Sequence, residues 1–188
     1  MKSVKQEDFV FHHNNVMDAV HPEHNAMTAY GWIKKGEKRL LKTNSGRQRL
    51  NLHGAINIET MDTTIIESKT VDAESTIELL EILNQKYSLS KKIYIILDNA
   101  KYHYSKTVKE YLKSCKRIKL VFLPAYSPEL NLIERLWRYY KQEVLYNTYY
   151  ESIIEFRNAS IYFFQDISSH KKNLFSLLSG GFEGFSYT

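Results

Sequence analysis

Residues 91–103 read KKIYIILDNAKYH. Ile93, Tyr94, Ile95, Ile96 and Leu97 form an uninterrupted apolar run, the pattern of a strand covered on both faces of a sheet. Asp98 follows at its carboxyl end, where open α/β sheets place their ligands. Downstream, Ser105 is placed to cap a helix running to about Cys115, and Ile118 to Leu123 predicts a further strand, stopped by Pro124. Upstream, Asp72 is a helix N-cap, with Glu74 in the first turn and Ile77, Leu80, Leu83 and Tyr87 along one face. Earlier still, Leu50, Leu52, Ile56 and Ile58 alternate with the period of a half-buried strand, Met61-Asp62 supplies a turn, and TTIIESKTV returns as an antiparallel partner. The first strand is expected at residues 9–18, FVFHHNNVMD. His12, His13, Asn14 and Asn15 interrupt its apolar run, which leaves a shorter strand starting near Val16 open. A last major helix starts near Leu130 and turns Ile133, Trp137, Tyr140 and Val144 inward. These elements predict an α/β fold: a central mixed sheet with an antiparallel hairpin near the N-terminus and flanking helices.

Three acids sit in unlike contexts: Asp18 in VMDAVHP, Asp98 after the apolar strand, and Glu134 in PAYSPELNLIERLW. Two-metal phosphoryl transfer needs such a layout, since ions about 3.5–4 Å apart are held by oxygen ligands converging from separate rigid elements. Asp62 and Asp72 are alternatives that a turn and a cap already explain. Glu129 rivals Glu134, but SPEL reads as the entry to a helix, where an acid favours the dipole without touching metal. Glu134, Arg138 and Lys141 form one helical stripe. His21 and His24, in HPEH, do not make a zinc site in a chain with a single cysteine, Cys115.

The stretches MDAVHPEHNAMTAYGWIKKG, GRQRLNLHGAINIET, IILDNAKYH and FLPAYSPELNLIERLW resemble the catalytic domain of DDE-superfamily transposases, in the bacterial insertion-sequence branch related to mariner elements. The resemblance runs from about Val16 to about Phe164. It implies a ribonuclease-H-like fold, two Mg²⁺ ions for which Mn²⁺ substitutes, and DNA strand cleavage and transfer at transposon ends. It implies Asp18, Asp98 and Glu134 as catalytic residues and metal ligands. Asn99 would support a carboxylate or a metal-bound water, with an Asx turn as its alternative, and His103 would position phosphate or water, with a structural role as its alternative. Relatives carry helix-turn-helix domains ahead of the catalytic domain. The chain is therefore expected to be a single catalytic domain, 1–188, from a truncated or split-frame copy, with 168–188 a loosely docked tail. Expected partners are DNA, a second copy of the chain, and an upstream helix-turn-helix chain. The alternatives are a catalytically inactive DNA-binding remnant and a ribonuclease-H-like hydrolase acting on other nucleic acids.

Composition is consistent with such a polyanion binder. The 188 residues carry a net charge of +5 although the proposed site is acidic, so cations must gather elsewhere. KKGEKRLLKTNSGRQR, residues 34–49, holds seven basic residues against one acid. Lys34, Lys35, Lys38, Arg39, Lys42, Arg47 and Arg49, with Arg138 and Lys141, are the expected DNA-binding set, able to track phosphates without reading bases. Trp32 and Trp137 read as core aromatics. One cysteine suits a reducing compartment, and the chain has neither a signal-peptide core nor a membrane-length apolar run. The protein is expected to be cytoplasmic, associated with the nucleoid when on DNA.

Overall fold

The computed structural model describes residues 12–29, 34–38, 40–44, 46–124 and 132–179. Strands β1 (His12–Val20), β2 (Leu52–Asn57), β3 (Thr63–Glu67), β4 (Lys92–Leu97) and β5 (Ile118–Phe122) form one sheet in the order β3-β2-β1-β4-β5. β1, β2 and β3 are antiparallel neighbours, whereas β4 runs parallel to both β1 and β5. The expected mixed sheet and hairpin are therefore present. Helices α1 (Ala73–Lys86), α2 (Lys106–Ser114), α3 (Ile133–Val144), α4 (Ile153–Gln165) and α5 (Lys171–Ser179) flank it. Among the described residues no helix is long and apolar enough to cross a membrane.

Strand alternation divides the sheet between two cores. Val16 and Val20 of β1, with Leu52 and Ile56 of β2, pack beneath α3, α4 and α5 against Trp137, Tyr140, Phe156, Phe163 and Leu174. Met17, Ala55, Ile93, Ile95 and Leu97 face α1 through Leu79, Leu80 and Leu83. β2 is consequently buried at all six positions rather than on alternate ones, because it lies inside the sheet and is covered from both sides. β4 departs the other way: Ile93, Ile95 and Leu97 are fully buried, while Tyr94 and Ile96 are only half-covered.

β1 runs straight through the polar residues that suggested a later start. Three of its polar side chains find partners, though Asn15 Nδ2 does not: Asn14 donates to Glu59 Oε1 at 3.0 Å, His13 stacks on Tyr87 at 4.1 Å, and buried Asn15 accepts from the Tyr87 hydroxyl. Asp72 caps α1 through a reciprocal pair, its Oδ1 accepting from Ser75 N at 3.0 Å while Ser75 Oγ accepts from Asp72 N at 2.9 Å. At the other end of α1, Arg117 reaches back from the start of β5 and donates to the carbonyls of Asn84, Tyr87, Ser88 and Ser90, a cation on a helix C-terminus. Ile133, Trp137, Tyr140 and Val144 of α3 are buried as predicted.

Two C-terminal features differ from the sequence expectations. α4 corresponds to no predicted element; Ser152 caps it, and Phe156, Ser160 and Phe163 are its buried face. The tail from Ser168 is not loose as far as Ser179. α5 buries Leu174 completely, Asn173 donates to the Tyr139 hydroxyl at 3.1 Å, and Arg135 donates to Leu177 O at 2.8 Å. Residues 180–188 lie outside the described residues.

Candidate active site

β1 and β4 are in parallel register from His12 with Lys92 to Val16 with Ile96. Two further steps along that register set Asp18 opposite Asp98, just past the end of β4. Alternation puts Asp18 on the same face as Val16 and Val20, the face covered by α3. α3 buries Ile133 and Trp137 in that core, and Glu134, exposed in its first turn, stands between them in sequence. Two strand ends and one helix thus bring the three predicted acids to one edge of the fold.

Their proximity is written in the Asp18 carboxyl, which is pushed up to about 6. Burial is the first cause, and the negative charges of Asp98 and then Glu134 add to it, against a backbone hydrogen bond at Ala19 and one from Trp137 that favour the ionised form. Trp137 Nε1 donates to Asp18 Oδ2 at 3.2 Å. Gly54, the antiparallel partner of Asp18, leaves the room for that indole: a Cβ there would lie 2.7 Å from Trp137 Cη2 and also collide with Ile65. Among the described residues no three His, Cys, Asp or Glu side chains already stand at ion-enclosing spacing. The donor chemistry nonetheless fits a hard divalent cation: three carboxylate groups, two of which raise the charge cost at Asp18 that a cation would relieve.

The loop after β4 supports this edge. Asp98 Oδ1 accepts from Ala100 N at 3.1 Å, so the Asx turn belongs to Asp98 and not to Asn99. Asn99 instead ties the loop to the end of β5, donating to Leu123 O at 2.7 Å and accepting from the Tyr104 hydroxyl at 2.6 Å. Its support goes to the loop rather than to a carboxylate. His103 is buried, with Nε2 3.5 Å from Asp98 Oδ1; burial holds its imidazole down, to about 4, against the pull of the Asp98 charge, so this is a contact of a neutral ring. Tyr102 has no counterpart among the sequence expectations. Burial and then the charges of Asp98 and Asp18 raise its phenol to about 12, which marks it as a neighbour of both acids.

Lys34, Lys35, Lys38, Lys42, Arg47 and Arg49 are exposed, as is Arg138; Lys141 is half-buried, and Arg39 and Glu129 lie outside the described residues. The basic segment ends beside the exit of β1: His24 N donates to Gln48 O at 2.7 Å, Leu50 N donates to Pro22 O at 3.0 Å, and Glu23 bridges Arg49. Lys42 lies over the Tyr149 ring, and Asn44 donates to Tyr150 O at 2.9 Å. The cations therefore extend from the strand that carries Asp18. Trp137 is legible in the sequence only as a core residue, although its spacing of three from Glu134 puts both on neighbouring helix positions. Gly54 has a signal of its own, a glycine inside a strand.

A family model described as DDE superfamily endonuclease matches residues 15–157. The Insertion element IS630 uncharacterized 39 kDa protein of Shigella sonnei is 28% identical over 107 residues, covering 57% of this chain and 31% of that protein. The chain thus spans about a third of the length of that curated relative. Among solved structures, the Mos1 transposase paired-end complex with left transposon end matches with a TM-score of 0.60 at 15% identity, over 97% of this chain and 59% of the other. The Mos1 mariner paired end complex with Mn matches with a TM-score of 0.59 at 14% identity, over 92% and 56%. These likenesses carry the fold, the ribonuclease-H-like mixed sheet with flanking helices, and the model match over most of the chain carries the family: this chain belongs to the DDE superfamily endonucleases.

Proposed function

We propose that the chain is a transposase catalytic domain that cleaves DNA strands at transposon ends and transfers them to a target, with Asp18, Asp98 and Glu134 as catalytic acids and metal ligands. The observation that carries this is the convergence of the three acids from β1, the end of β4 and α3, felt as the raised Asp18 carboxyl. Two Mg²⁺ ions, or Mn²⁺ in their place, would supply activation of the attacking oxygen and stabilisation of the leaving oxygen. Asp98, more exposed than Asp18 and between the other two acids in sequence, is the ligand suited to sharing. Asp18 and Glu134 complete the set from either side, and His103, neutral and pressed against Asp98, holds that carboxylate in place.

Exposed Lys34, Lys35, Lys38, Lys42, Arg47 and Arg49 are suited to bind phosphates next to the β1 exit, with Arg39, Arg138 and Lys141 completing the set. DNA ends and target, a second copy of the chain, and a helix-turn-helix chain are the proposed partners, and on DNA the protein would sit at the nucleoid. The polar residues of β1 do not interrupt it, so the strand that carries Asp18 is paired on both sides. The test is incubation of purified protein with labelled duplex, with and without Mg²⁺. Nicking that requires metal supports an endonuclease, and joining of a 3′-end separates a transposase from a hydrolase. Nicking that is absent, or indifferent to metal, would overturn the assignment.

A further inference from the structure

We propose that Trp137 is a positioning residue for Asp18: its indole N–H holds Oδ2 and fixes the orientation in which the carboxylate faces the cation, with Gly54 providing the clearance for the ring. This rests on the proposed metal site and deepens it. An indole has one donor and no acceptor, so a buried Trp has a single polar contact to place. Trp137 is only 4% exposed, and it directs that contact to Asp18 rather than to a backbone carbonyl. The ring is packed by the core around it, with Phe164 edge-on at 6.1 Å, so the N–H has little freedom to turn away. The strand partner of Asp18 is Gly54, which lies beneath the indole, so that any side chain there would meet it. Trp137 also follows Glu134 by three residues on α3. One helix turn therefore delivers one acid of the site and the hydrogen bond that orients another.

Groups that hold a metal ligand in place change affinity for the ion, whereas a tryptophan that merely fills a core changes stability alone. The experiment measures the Mn²⁺ concentration giving half of the metal-induced rise in melting temperature, for the wild type and for Trp137→Phe, which keeps an aromatic ring and removes the donor. The expected result is a rise in that midpoint of about 10–100-fold, the effect of removing a partner of a metal ligand. Replacing Trp137 by 3-benzothienylalanine, where sulfur stands for the N–H in the same ring shape, decides the matter if Trp137→Phe does not fold. Gly54→Ala should shift the midpoint in the same direction by displacing the ring. In ¹⁵N-labelled wild type, the indole signal of Trp137, identified by its disappearance in Trp137→Phe, should move on titration with Mg²⁺ and stay still in Asp18→Asn. A wild type without metal-induced stabilisation sinks the metal site and this inference together. A wild type stabilised by metal, with an unchanged midpoint in the donor-less variants or a static indole signal, overturns the role of Trp137 and leaves the metal site standing.

Discussion

Tyr87, at the C-terminal end of α1, donates its hydroxyl to Asn15 Oδ1 in the middle of β1 at 3.2 Å. Asn15 is 1% exposed, and its Nδ2 has no hydrogen-bond partner, so the Tyr87 bond is the side-chain contact that compensates its burial. Tyr87→Phe leaves the carboxamide oxygen unsatisfied as well. The expected cost is about 1–3 kcal/mol, read from the midpoint of urea unfolding. A variant as stable as the wild type would mean that Asn15 is solvated.

Asp98→Asn keeps the Oδ1 that accepts from Ala100 N and removes the charge. The expected outcome is loss of Mg²⁺-dependent cleavage with the melting temperature in metal-free buffer retained. The wild type should gain stability with Mn²⁺, by about 2.7 kcal/mol at a free concentration one hundred times its dissociation constant, and the variant should gain much less. Wild-type cleavage by Asp98→Asn would remove this residue from the site.

Glu134→Gln and Glu129→Gln are expected to separate the two acids flanking the start of α3. Glu134 sits in the first turn beside buried Ile133 and is felt at Asp18, so its variant should lose both cleavage and metal-induced stabilisation. Glu129→Gln should cost no more than about 0.3–1 kcal/mol, a helix-end effect. One cleavage assay on both decides, and an inactive Glu129 variant beside an active Glu134 variant would reverse the assignment.

His53 is fully buried on the α1 side of the sheet, its Nδ1 3.4 Å from Ser75 Oγ and its Nε2 without a partner. Burial, then the neighbouring His103, hold the imidazole down, to about 4. The folded protein therefore binds fewer protons than the unfolded chain below the ordinary histidine range. Stability from this group is present at pH 7 and is lost as the pH falls through 6.5 toward 4. Between pH 7 and pH 5 the loss from His53 should be about 2 kcal/mol. His53→Gln should flatten that part of the pH profile in chemical denaturation, and an unchanged slope would show that the ring protonates in place.

Binding of duplex DNA should weaken steeply with salt and discriminate little between sequences. Neutralising Lys34, Lys35, Lys38 and Arg39 should flatten the plot of log affinity against log salt by about 0.9 for each phosphate that these cations would otherwise neutralise. Fluorescence anisotropy across a salt series measures it. A slope unchanged by the substitutions would place the DNA elsewhere.

Much of this architecture is legible in the sequence because period and punctuation agree. Asp72 with Glu74 and Ser75, the apolar run before Asp98, and Ser105 ahead of α2 each mark an element by local chemistry alone. β1 is harder, since nothing in HHNN shows that Tyr87, Glu59 and Asn57 wait to receive it. α4 has no single apolar face: Ile154 and Tyr162 remain exposed while Phe156 and Phe163 are buried, so its sequence reads as hydrophobic without direction. At the site, the acids are visible through their contexts, whereas the role of Asn99 is hidden because its partners, Leu123 and Tyr104, depend on how the β4 loop meets β5. Trp137 reads correctly as a core residue, yet its N–H acquires meaning only once Gly54 and Asp18 are known to be strand partners.

The paired bonds at Pro22–His24 and Gln48–Leu50 close the basic segment at its root. Loop closure at fixed ends costs little for added length, about 0.6 kcal/mol for each doubling. The excursion is also tied to the chain after α3, by Met27 N to Leu145 O at 3.1 Å and by Asn44 Nδ2 to Tyr150 O at 2.9 Å, so chain added between Met27 and Asn44 leaves the clasp and both ties in place. If the cations of this excursion hold DNA as proposed, their number and spacing can change by insertion there while the strands that carry Asp18 and Asp98 stay as they are.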